Sequence, residues 1–72
     1  MSPFEANLHQ HTVGTTFFVN PTMLNMSHET FHAFAETLVA GQDPRVRVVG
    51  APHRESYSGA RRIELVKLER VS

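Results

Sequence analysis

The chain has 72 residues, no cysteine and a formal charge of zero, with seven Lys and Arg against seven Asp and Glu. That length holds one small domain, which buries about 60% of the surface its unfolded form exposes, so a single core is feasible with little to spare. Without cysteine there are no disulfides and no thiolate metal sites, which favours a reducing, cytoplasmic setting. Met1-Ser2-Pro3-Phe4-Glu5 lacks the basic start and apolar centre of a signal peptide, and no apolar stretch approaches the roughly 18 residues of a membrane span, so no membrane partner is expected.

The zero sum conceals a division along the chain. Residues 1–44 carry four acidic side chains and neither Lys nor Arg, whereas residues 45–72 carry all seven basic side chains against three Glu. The second segment can therefore present a positive surface.

Residues 1–11 show too weak a pattern for an assigned element and read as an arm that Phe4 and Leu8 can anchor. Residues 12–19 are rich in β-branched and aromatic side chains and stop at Asn20-Pro21, which predicts a strand. In it Val13, Thr15, Phe17 and Val19 share one face, and Phe18 on the other needs cover.

A helix over residues 28–40 follows from the spacing of Phe31, Phe34, Ala35, Leu38 and Val39 at i, i+3, i+4, i+7 and i+8. Ser27 is its N-cap, and Met26 can staple onto Phe31. Gly41 can take the left-handed C′ conformation, and Pro44 bars continuation.

Residues 45–50 alternate as a strand, and residues 61–71 as a longer one, with turn chemistry at Tyr57-Ser58-Gly59-Ala60 between them. A long hairpin results, its first arm broken at Gly50-Ala51-Pro52. With Ser58-Gly59 at the tip, Val46 and Val48 share a face with Ile63, Leu65 and Val71. The opposite face then holds Val49, Val66, Leu68 and Tyr57 with Arg45, Arg47, Arg62 and Arg70, and a one-residue slip would swap the two sets. The expected architecture is a single α+β domain over residues 1–72, in β-α-β-β order. It has one antiparallel sheet with a long C-terminal hairpin, covered on one face by a single helix.

Candidate chemistry is sparse. His28-Glu29-Thr30-Phe31-His32 fits H-E-x-x-H, in which two histidines one helical turn apart hold zinc and the Glu activates its water. A catalytic site also needs a third ligand, and positions 35 and 38, which would be Gly and His in one extended form of the motif, are Ala35 and Leu38. His28 and His32, with His53, are thus weak metal candidates, and both helical histidines read more simply as helix-flank residues. His9-Gln10-His11 offers two imidazoles on one side of an extended segment, a weak chelate at best. Isolated glycines make no phosphate-binding loop, and no nucleophile elbow accompanies the serines. The expectation is no enzyme, no cofactor and no metal.

Two binding classes remain. Clustered Arg on the hairpin can neutralise phosphates, although Arg and Glu interleave over 61–70 and Tyr57 alone offers a stacking ring. Protein binding draws instead on an apolar second sheet face, open strand edges and a charge-divided surface. The reading adopted is a small regulatory or inhibitory module that docks on a larger protein through Arg45, Arg47, Arg62, Val66, Leu68 and Arg70. Phage-type or bacterial modulators of macromolecular machines such as transcription offer a fold-level analogy. Nucleic-acid binding through the basic hairpin 45–70, metal binding through His28 and His32, and homodimer formation stand as alternatives.

Overall fold

The computed structural model describes residues 2–57 and 60–72. The elements are α1 (Pro3–His9), β1 (Thr16–Val19), α2 (His28–Val39), β2 (Val46–Val48), β3 (His53–Tyr57) and β4 (Ala60–Arg70). All strand pairs are antiparallel, so the chain is a small α+β domain with a four-stranded open sheet.

The expected arm contains a helix. Ser2 is its N-cap, the Ser2 hydroxyl accepting the backbone N–H of Glu5 at 3.2 Å, and Pro3 fills the first turn, where its missing N–H is no loss. Phe4 and Leu8, one turn apart, are both buried. β1 starts at Thr16, later than the sequence pattern suggests, because Gly14 adopts φ +94° and Thr15 N–H closes a turn on the Thr12 carbonyl at 3.1 Å. The turn takes Val13 off the strand and leaves it 59% exposed.

α2 begins where the Ser27 hydroxyl accepts from Thr30 N–H at 3.1 Å. It ends in a Schellman arrangement at Gly41, φ +75°: Gly41 N–H donates to Leu38 O at 3.0 Å and Gln42 N–H to Thr37 O at 3.1 Å. Phe31, Ala35 and Leu38 are buried, and Phe34 meets the Phe4 ring edge-on at a centroid distance of 4.9 Å, joining the two helices. Val39, expected on the same stripe, is exposed.

β4 is the central strand. β1 pairs with residues 66–69, β2 with 68–70 and β3 with 60–65. Eleven residues at about 3.3 Å each span about 36 Å, which accounts for the longest molecular dimension of 37 Å. The hairpin closes with Tyr57 opposite Ala60, while its expected tip, Ser58-Gly59, lies outside the described residues. The break expected in the first arm falls between Val48 and His53, where Gly50 takes φ +73°.

The register departs from unbroken alternation at one place. His53 lies opposite Leu65 but Arg54 lies opposite Ile63, so Glu64 is an extra residue in β4. Such a bulge shifts the inward side by one position. Ile63, Val66 and Leu68 therefore all enter the core, although Ile63 and Val66 are three apart. Val66 pairs with Val19, and Leu68 with both Phe17 and Val48, which puts them on the helix-covered face. One core unites these residues with Phe4 and Leu8 of α1, Phe31, Ala35 and Leu38 of α2, Leu24 and Val46. Two helices share the cover, and no polar residue is buried among those described. No helix among the described residues is long and apolar enough to cross a membrane.

Candidate docking face

The six expected contact residues do not form one surface. Val66 and Leu68 are 0% exposed, because the Glu64 bulge turns them inward, and they cannot touch a partner. Arg70 also faces the helix side, where its guanidinium donates to the carbonyls of His11 at 2.6 Å and Leu8 at 3.4 Å. Arg45 is held by Asp43, with Nε donating to Oδ1 at 3.0 Å and Nη2 to Oδ2 at 2.8 Å, and its guanidinium lies 5.9 Å from the Phe4 ring centroid. The hydrogen bonds from Arg45 hold the Asp43 carboxyl below its ordinary value, and Asp43 in turn raises Arg45. Arg62 reaches across to α2, donating to Glu29 at 3.0 Å. Of the six, Arg47 alone stands on the outer face of the sheet, paired with Glu69.

Cross-strand partners share a face, so the register defines that outer surface without ambiguity. Thr16 and Arg47 flank Glu69, and Phe18 lies opposite Lys67. Phe18 is 50% exposed, and the Lys67 ammonium sits 5.8 Å from its ring centroid. Arg47 Nε donates to Glu69 at 3.1 Å. The result is a half-exposed aromatic ring rimmed by the Lys67 ammonium and the Arg47–Glu69 ion pair. Sequence reasoning identified Phe18 as a residue in need of cover. Alternation along the strand also puts Thr16 on the Phe18 face; sequence reasoning missed Lys67 and Glu69, whose placement depends on the register.

The strand edges differ in the same region. β1 is an outer strand that reads Thr-Phe-Phe-Val, with no charge, proline or bulge to discourage pairing. The opposite edge carries Arg47, His53, Arg54 and Glu55, all exposed, and is interrupted between β2 and β3. β1 is the edge that a partner strand can extend.

The H-E-x-x-H residues are present on α2 and each is engaged with β4. His28 Nδ1 lies 2.9 and 2.8 Å from the two oxygens of Glu64, which makes the imidazole the donor. Glu29 accepts from Arg62. His32 Nδ1 accepts the backbone N–H of Ile63 at 3.0 Å, so its proton resides on Nε2, 3.3 Å from Glu36. Among the described residues no three His, Asp or Glu side chains gather as a metal-ligand set. His53 pairs with Glu55 at 2.8 Å on β3. The motif fastens a helix to a strand. Near α1, the His11 ring stacks on Phe17 at 4.3 Å. Arg54 and Arg61 are exposed with no ion-pair partner among the described residues, while the Tyr57 ring lies outside them.

Comparison of the chain with protein-family models, with curated proteins and with solved structures finds no match.

Proposed function

We propose that the protein is a small non-enzymatic module that binds a larger protein, using the outer sheet face around Phe18 together with the open edge of β1. The observation that carries this reading is the half-exposed Phe18 ring, set in a strand that, among the described residues, forms the outer edge of the sheet. Burying an aromatic ring and adding a strand are the two components of β-augmentation: the backbone supplies affinity and side-chain pockets supply choice of partner. Lys67 and the Arg47–Glu69 pair form a polar rim, as interface cores commonly have. A regulator built this way acts by occupying a surface or displacing a competitor. A regulatory role on a macromolecular machine, such as transcription, belongs to this proposal.

The nucleic-acid alternative draws less support. Arg45, Arg47, Arg62 and Arg70 are each already paired with a carboxylate or a carbonyl, so recruiting them to phosphates means breaking those contacts. Capture of partners by the tagged protein, with and without nuclease and with Phe18→Lys as the comparison, tests the reading.

A further inference from the structure

β4 has a third stretch of edge, on the side away from β3, over residues 61–63. β1 covers β4 on that side over residues 66–69 and no further. The strand's period of two sends the N–H of Ile63 away from β3, and it finds a side chain there in place of a strand: His32 Nδ1, at 3.0 Å and partly buried. This bond exists in one protonation state. A neutral ring with its proton on Nε2 accepts from Ile63, whereas a protonated ring sets two N–H groups against each other.

The neighbouring histidine has the opposite requirement. His28 donates to Glu64, and a charged ring strengthens that pair. The groups around His32 divide in the same way. Glu36 and His28 lie one turn away on α2, with Glu29 tied to Arg62, while β4 contributes Arg61, Arg62 and Glu64, and β3 contributes Arg54 opposite Ile63. Glu36 is 61% exposed, with its carboxylate 3.3 Å from Nε2. The Ile63 N–H is in direct contact with Nδ1, the nitrogen that has to be unprotonated for this bond.

We infer that the turn from His28 to His32 is a proton-operated latch on the β4 edge. With His32 neutral, α2 is fastened to β4 at Ile63 and the edge is closed to strand pairing. Protonation of His32 releases the Ile63 N–H and leaves the His28–Glu64 and Glu29–Arg62 contacts to hold the first turn of α2 to β4.

The test follows the full chain by NMR from about pH 8 to about pH 5, the range in which imidazoles change charge. At the upper pH the nitrogen shifts of His32 should report the Nε2–H form, and a Nδ1–H form overturns the latch with no variant required. As His32 titrates, the Ile63 amide should shift in step, and its protection factor should fall about tenfold, as loss of one hydrogen bond predicts. In His32→Asn the side-chain oxygen can take the place of Nδ1 and does not titrate, so the Ile63 amide should stay protected throughout. If that substitution unfolds the chain, His28→Gln serves instead: it keeps His32, so the Ile63 change must persist. A protection factor independent of pH in the wild-type chain, or an unchanged pH response in His32→Asn, contradicts the proposal.

Discussion

Arg70 Nη1 donates to the carbonyl oxygen of His11 at 2.6 Å, and so ties the last residue of the central strand to the segment that follows the first helix. A helix of seven residues has little stability of its own. It persists here through Phe4 and Leu8 in the core and through this guanidinium, which bonds the carbonyls of Leu8 in its last turn and of His11 just beyond it.

Arg70→Ala should therefore lower unfolding stability by about 1.5–3 kcal/mol, the range for a charge-assisted hydrogen bond. Amide exchange should rise in residues 3–9 more than in α2. Equal exchange in both helices would show that Arg70 does not anchor α1.

The placement of Val66 and Leu68 is tested by the contrast with Arg47. Leu68→Ala should cost about 2–5 kcal/mol, as emptying a core site does. Arg47→Ala, at an exposed ion pair, should cost at most about 1 kcal/mol. Urea denaturation distinguishes the two. A mild Leu68→Ala would mean that Leu68 faces outward and that β4 runs without the bulge at Glu64.

Acid titration should reveal the Asp43–Arg45 pair. The folded Asp43 carboxyl lies below its ordinary 3.8, so its stabilising contribution is complete above that value and is lost as pH falls through the lowered one. Asp43→Asn removes this part of the acid limb, which urea midpoints between about pH 5 and pH 2 will show. An acid limb identical to that of the wild type would mean the pair is not formed in solution.

Zinc should leave the melting temperature unchanged, since His28 and His32 are both committed to β4. His32→Ala should destabilise the metal-free protein by about 1–2 kcal/mol, because the Ile63 N–H loses its acceptor. A melting temperature that rises with zinc and no longer rises in His32→Ala would restore the metal reading.

What the sequence made legible depended on how local the determining interactions are. α2 was readable almost to the residue, because its cap at Ser27, its stripe from Phe31 to Leu38 and its stop at Gly41 lie within one short window. α1 obeys similar rules: Ser2-Pro3-Phe4-Glu5 is an S-x-x-E capping box with proline at the first helical position, a signal that the brevity of the apolar pattern obscured. The hairpin was legible as a hairpin, but its faces were not. One extra residue at Glu64 reverses inside and outside for the rest of β4, and the reason for it is tertiary: Glu64 meets His28 while Val66 packs against the helices. Consequently Val66 and Leu68 moved from an expected contact set into the core, and Lys67 and Glu69 took the outer face beside Phe18. Charge division by segment was equally misleading about surface, because Glu29–Arg62 and Asp43–Arg45 join the acidic half to the basic half.

The central claim is that the Phe18 face and the β1 edge hold a protein partner. Its most direct test is capture from nuclease-treated lysate by the wild-type chain and by Phe18→Lys, after confirming that the variant keeps its circular dichroism and melts within a few degrees of the wild type, as an exposed edge position allows. A stoichiometric protein should be bound by the wild type and lost from Phe18→Lys. A partner retained equally by the folded variant, or binding that disappears on nuclease treatment alone, would contradict it.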